Sequence, residues 1–142
     1  MTHNLYLSLG SNLGDRAANI RNALALIDDR IGSVYRVANL IETESWGYKS
    51  KNAYINTVCL VHTMMSPMRV LEELQRIENE MGRTEKSTIG QDGKPVYHDR
   101  IIDIDMLMYD QLEISTPELT LPHPRMHERN FVTIPLQEIL DN

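Results

Sequence analysis

Two apolar stripes of identical spacing constrain this chain more than any other feature. Ile20, Leu24, Ile27 and Ile31 fall at offsets of 0, 4, 7 and 11, and Val70, Leu74, Ile77 and Met81 repeat those offsets. That spacing draws one face of an α-helix. An apolar stripe has to be buried against something, and the segments around the stripes alternate with the period of strands. Leu5, Leu7 and Leu9 alternate with Tyr6 and Ser8 ahead of the first helix. Two more strands are expected between the helices, over Val34 to about Thr43 and from about Ala53 to Thr63. A fourth lies in the middle of Tyr97–Tyr109, with Ile102, Ile104, Met106 and Met108 on one face and Asp103, Asp105, Ile101 and Leu107 on the other.

Punctuation agrees with these boundaries. Gly32 is expected to stop the first helix, Ser66-Pro67 to open the second as an N-cap followed by proline, and Gly82 to close it. Residues 44–52, with Trp46-Gly47-Tyr48, read as a loop, and Arg83 to about Val96 as a long one carrying Gly90, Gly93 and Pro95. The tail from Gln111 is broken by prolines, with a short helix expected near Pro135 to Leu140. The order strand–helix–strand–strand–helix–strand predicts an α+β fold: a ferredoxin-like βαββαβ core with an antiparallel sheet, a long lid loop and a C-terminal extension.

A chain of 142 residues suits one domain over 1–142. Its 14 basic against 20 acidic residues argue against a general nucleic-acid binder. Cys59 is the only cysteine, which excludes an internal disulfide and suits a reducing, cytoplasmic compartment. No apolar run approaches the roughly 18–20 residues that span a membrane, so no membrane partner is expected.

The chemistry-bearing pattern is Asp103-Ile104-Asp105. On a strand, residues i and i+2 stand side by side, with Cα atoms roughly 6.5–7 Å apart. Two carboxylates so placed repel each other unless positive charge sits between them. Salt bridges or solvent could supply it, and so could Mg²⁺, which takes one or two carboxylates plus substrate phosphates. Tyr54 and Asn56 share a strand face, where they could stack on and hydrogen-bond a flat ring or serve as ordinary core and turn residues. Gln75 and Glu78, at the edge of the second helical stripe, read by themselves as solvated surface. The first strand ends in Gly10-Ser11-Asn12-Leu13-Gly14-Asp15, which is turn chemistry and not a Walker-type phosphate loop.

Taken together, the motifs resemble the 6-hydroxymethyl-7,8-dihydropterin pyrophosphokinase family over nearly the whole chain. They are Gly10 to Arg16; Glu42-Thr43 then Trp46-Gly47; Tyr54-Ile55-Asn56; Gln75-Arg76-Ile77-Glu78 with Gly82-Arg83; Arg100-Ile101-Ile102-Asp103-Ile104-Asp105; and Leu121-Pro122-His123-Pro124 with Arg129 and Phe131. The resemblance implies transfer of pyrophosphate from ATP to the hydroxymethyl group of a reduced pterin, leaving AMP. It implies two Mg²⁺ held by Asp103 and Asp105. No side chain is an obvious general base, and Asp105, beside the hydroxyl, is the candidate. ATP would meet Gln75, Glu78, Arg83, Arg100, Thr120, His123 and Arg129, and of these Arg83 and Arg100 would assist catalysis. The pterin would lie between Tyr54 and Phe131, read by Asn56, with Thr43 and the backbone near Trp46 over its other edge. The partners implied are small molecules, on a monomer or weak dimer. Residues 84–96 would act as a lid that orders when both substrates are bound. The pattern departs at Glu85, where a second basic residue is usual and Lys86 or Lys94 could substitute, and at Tyr97, which stands where a lid tryptophan is found.

Three rivals share some of these features. An RNA-binding module has the same order of elements, but it needs a basic face and exposed central aromatics. A zinc hydrolase could use His123 and His127, but Pro124 lies between them and zinc wants at least three ligands. A ligand-binding relative without catalysis fits Glu85, and it would bind pterin and ATP without releasing AMP.

Overall fold

A computed structural model describes residues 2–43, 53–82, 88–89, 95–96, 101–126 and 130–140. The chain opens with β1 (His3–Ser11), α1 (Arg16–Arg30), β2 (Gly32–Val37), β3 (Ile41–Thr43) and β4 (Tyr54–Thr63). It continues through α2 (Pro67–Glu80), β5 (Thr88–Ile89), β6 (Pro95–Val96), β7 (Asp103–Tyr109), β8 (Ile114–Ser115), β9 (Thr120–Leu121) and α3 (Asn130–Leu140). The main sheet runs β2-β4-β1-β7, with antiparallel neighbours throughout and β3 extending β2's position along β4. With α1 and α2 as its two helices, this is the ferredoxin-like arrangement.

The stripes go where period and burial send them. Ile20, Ala23 and Ile27 of α1 and Val70, Leu74 and Ile77 of α2 are buried against Leu5, Leu7 and Leu9 of β1, each 0% exposed. Both helix starts are capped by side chains. Asp15 accepts from the Ala18 N–H at 3.1 Å, and Ser66 accepts from the Arg69 N–H at 3.4 Å. Across the opposite face of the sheet lies α3. Its Val132, Leu136 and Ile139 pack on Val58, Leu60 and Leu107.

The structure departs from the sequence reading at several points. Gly82 does close α2, with φ +107, but Gly32 is the first residue of β2 and Ile31 caps α1. A Cβ at Gly32 would meet the His62 carbonyl oxygen at 2.2 Å, so close strand approach is what requires glycine there. The expected strand Val34–Thr43 is two strands. The chain leaves the ladder at Asn39, whose N–H turns to the Glu138 carboxylate of α3 at 3.2 Å. α3 starts five residues before Pro135 and carries that proline inside it. Burial at 132, 136 and 139 outweighs the lost backbone hydrogen bond. Part of the expected long loop is a hairpin, with Thr88 opposite Val96 and Ile89 opposite Pro95.

The largest correction lies in β7. Leu7 pairs with Met106 and Tyr6 with Met108, so Leu107 is an extra residue opposite the Tyr6–Leu7 step. That bulge breaks the alternation. Ile102, Ile104 and Met106 face the α1–α2 core as expected, but Met108 turns with Leu107 to the α3 side.

Candidate active site

β1 lies between β4 and β7, so residues in register across the three strands form rows. One row is Asn56, Gly10, Asp103, and the next is Val58, Ser8, Asp105. β3 adds Ile41 beside Asn56 and Thr43 beside Tyr54. With neighbouring strands about 4.8 Å apart, Asn56 and Asp103 are about 10 Å apart across the bare backbone of Gly10. An aromatic, a buried carboxamide and two half-buried carboxyl groups therefore belong to one surface, at the end of the sheet face beyond the α3 cluster. The sequence pattern had placed Tyr54 with Asn56 and Asp103 with Asp105. The register brings the two pairs together.

Beside β7 is an open cavity of about 290 Å³, lined by α2, β7 and the β8–β9 hairpin. Asp105, Thr120 and His123 give it polar groups, and Leu71, Ile104 and Met106 give it apolar wall. The hairpin is held tightly. Thr116 Oγ1 donates to the Leu119 carbonyl at 3.1 Å and accepts from the Leu119 N–H at 3.0 Å. Leu121–Pro122 is a cis peptide. The next segment docks on the bulge, where the His123 N–H donates to the Leu107 carbonyl at 2.9 Å. His123 Nδ1 accepts from the Arg125 N–H at 3.1 Å, which puts the proton of the neutral ring on Nε2.

Glu78, which the resemblance sets at the ATP site, lies beside β7. Alone it reads as surface, but it is 6% exposed, and its Oε2 accepts from the Ile104 N–H at 2.9 Å. The residue it holds lies between Asp103 and Asp105. Gln75, one turn earlier on α2, is exposed.

The turn after β1 is a supporting element. Ser11 and Asn12 are buried, and Asn19 Nδ2 of α1 donates to Ser11 Oγ at 3.2 Å and to the Leu13 carbonyl at 2.8 Å. Arg16 reaches the other side of the site. It donates to the Ala53 carbonyl at 2.8 Å, next to Tyr54, and sits 3.5 Å from the carboxylate of Glu42, next to Thr43. Nothing in the periodicity marks Arg16, because its partners are 26 and 37 residues away. The Cys59 thiol takes no part: burial pushes its pKa up to about 12, against a small lowering by a hydrogen bond from the Leu7 backbone.

Among the described residues, no three His, Cys, Asp or Glu side chains gather as a self-sufficient metal cage. Two carboxyl groups on one strand are of the donor type that a hard cation takes when phosphate and water complete its shell, and on that ground the residues would fit Mg²⁺. Trp46, Arg83, Arg100 and Arg129 lie outside the described residues, as do Glu85, Lys86, Lys94, Tyr97 and His127. So does most of the expected lid. For Thr43 and Phe131 the backbone alone is described, in β3 and in the first turn of α3.

The chain matches the family model for 7,8-dihydro-6-hydroxymethylpterin-pyrophosphokinase over residues 6–141. It is 43% identical over 136 residues to the 2-amino-4-hydroxy-6-hydroxymethyldihydropteridine pyrophosphokinase of Porphyromonas gingivalis, covering 95% of this chain and 89% of that one. The Bacillus subtilis protein of the same name is 38% identical over 98% of this chain and 79% of its own length. A folic acid synthesis protein of Dictyostelium discoideum is 36% identical over 97% of this chain but only 20% of that longer protein. A solved HPPK-DHPS crystal structure, in complex with substrates, superposes with a TM-score of 0.72 at 15% identity. The match covers 99% of this chain and 40% of that one, and at that identity it speaks for the fold.

Proposed function

The chain belongs to the 7,8-dihydro-6-hydroxymethylpterin-pyrophosphokinase family, and from that premise we propose how its residues carry the reaction. The chain transfers pyrophosphate from ATP to 6-hydroxymethyl-7,8-dihydropterin, giving AMP and the pterin diphosphate, a step of folate biosynthesis. The observation that supports the residue assignment best is the register of β4, β1 and β7. It sets Tyr54 and Asn56 on the same surface as Asp103 and Asp105.

In this reading the pterin ring stacks between Tyr54 and Phe131, as offset aromatic packing favours. Asn56 pairs with the polar edge of the ring, while Thr43 and the backbone near Trp46 close the other edge. A site that satisfies a ring's donors and acceptors rejects analogues that lack them. ATP enters the cavity beside β7, where Thr120 and His123 line the wall. Gln75 and Arg129 complete its contacts, and Arg83 and Arg100 neutralise the phosphoryl groups. The hydroxymethyl oxygen forms a bond to the β-phosphorus while the bond from that phosphorus to the oxygen shared with the α-phosphorus breaks. AMP leaves, and the hydroxyl proton passes to Asp105. Asp103 and Asp105 would hold two Mg²⁺, which when bound offset the charge of the triphosphate. Transfer of this kind rests on positioning and positive charge. Glu78 serves the nucleotide side by fixing the strand that carries both carboxyl groups. The chain acts as a single domain over 1–142, cytoplasmic, as a monomer or weak dimer. No helix among the described residues is long and apolar enough to cross a membrane.

The test is AMP release from ATP and Mg²⁺, with and without 6-hydroxymethyl-7,8-dihydropterin, for the wild type and Asp103→Ala. Pterin-dependent AMP that falls at least a hundredfold in the variant supports the assignment. An Asp103→Ala protein that turns over like wild type would refute the role of β7, and ADP as the product would refute pyrophosphoryl transfer.

A further inference from the structure

β1 crosses the site through a residue with no side chain. Gly10 stands in register between Asn56 on β4 and Asp103 on β7. A Cβ built there would lie 2.8 Å from Asn56 Oδ1 and 3.2 Å from Tyr54 Cδ1. The carboxamide and the ring therefore lean over Gly10 and occupy the space a side chain would take. Backbone conformation does not explain the glycine, because Gly10 is not among the positive-φ glycines of the described residues, Gly14 and Gly82. Neither does strand packing of the kind seen at Gly32. There the Cβ would strike the His62 carbonyl group, which can yield only by breaking a ladder. At Gly10 the nearest atoms belong to two side chains, the Asn56 carboxamide oxygen and the Tyr54 ring, and not to a strand ladder.

We propose that Gly10 is a specificity-determining position. Its missing side chain lets the Asn56 carboxamide and the Tyr54 ring lean in over β1, and so sets where the polar edge of the pterin is held relative to Asp103. The inference rests on the reading of this surface as the pterin site. A methyl group at position 10 displaces the carboxamide from the place where it reads the ring, and hydrogen bonds weaken steeply once their geometry is lost. The cavity beside β7 is not lined by Gly10, so nucleotide binding is spared.

The test compares Gly10→Ala, Asn56→Ala and the double variant in the AMP-release assay, with thermal melts of each. Gly10→Ala is expected to melt within a few degrees of wild type, to raise the KM for 6-hydroxymethyl-7,8-dihydropterin about tenfold or more, and to leave the KM for ATP within about twofold. In the Asn56→Ala background the same substitution should raise the pterin KM less than about threefold further, because the displaced group is already gone. Gly32→Ala serves as the contrast, with a lower melting temperature and no selective change in pterin KM. An unmoved pterin KM in Gly10→Ala would overturn the proposal. So would a parallel rise in both KM values, a full tenfold effect repeated without Asn56, or an unfolded Gly10→Ala protein. Wild-type protein that releases no pterin-dependent AMP would instead overturn the reaction reading on which the inference rests.

Discussion

Removing the carboxyl group of Glu78 tests the link between α2 and the strand that carries Asp103 and Asp105. Glu78 and Ile104 are each 6% exposed, and the Glu78 Oε2 accepts the Ile104 N–H at 2.9 Å. In Glu78→Ala that N–H loses its acceptor inside the protein, which costs about 1–3 kcal/mol. The apolar part of the side chain adds about 0.8 kcal/mol of lost burial. A net loss of about 2–4 kcal/mol follows, and at roughly 3 °C per kcal/mol for a chain of this size the melting temperature should fall by about 6–12 °C. Glu78→Gln keeps an acceptor oxygen in nearly the same place and should lose about 1 kcal/mol or less. Circular-dichroism melts of the three proteins read these differences directly. AMP release titrated with Mg²⁺ reads the functional side: Glu78→Ala should need more Mg²⁺ for half-maximal rate than Glu78→Gln. An Ala variant melting within about 2 °C of wild type, or a Gln variant as damaged as the Ala variant, would refute the reasoning.

Two further predictions concern regions away from the site. Burial holds the Cys59 thiol at a pKa of about 12, so iodoacetamide at pH 8 should leave the native protein unmodified and label it once urea unfolds it. Fast labelling of the folded protein would contradict that burial. Asp110 accepts from the Asn4 N–H at 2.7 Å and from His3 Nδ1 at 2.6 Å. Burial raises its pKa, but these hydrogen bonds outweigh that and hold it below the usual carboxylate range. A lowered carboxylate pKa stabilises the fold above the unfolded value, near pH 4, and the benefit is lost as pH falls through the folded value. With the Asp110 side chain 38% exposed, the effect is discounted to under about 1 kcal/mol. Urea midpoints of wild type and Asp110→Asn should differ modestly at pH 7 and converge near pH 2. A gap that stays constant across that range would rule out the carboxylate as its source.

What the sequence made legible follows from where the information sits. Leu5, Leu7 and Leu9, and the stripe Val70–Leu74–Ile77–Met81, each announce a face by local period alone, and the structure buries all of them but Met81, which is half-buried against the same core. Tyr54 with Asn56, and Asp103 with Asp105, were visible as pairs for the same reason. The bulge was not, because Met106, Leu107 and Met108 are all apolar and no local contrast marks the extra residue. The break between β2 and β3 depends on Asn39 meeting Glu138, 99 residues away. Glu78 looks like surface because its acceptor role exists only once α2 lies beside β7. Pro135 suggested a helix start, since the loss of its N–H is harmless in a first turn. Three buried contacts carried the helix through it instead.

β7 is the last strand of its sheet, and such a strand offers a row of unpaired backbone groups to any extended chain nearby. Two of those groups are already taken. Glu78 occupies the Ile104 N–H, and the backbone of His123 occupies the Leu107 carbonyl. A foreign strand would have to displace a buried carboxyl group at one point and a proline-flanked segment at the other before it could add to the sheet. The contacts that steady the strand carrying Asp103 and Asp105 thus also guard the molecule against edge-to-edge aggregation, so weakening them is expected to reduce solubility.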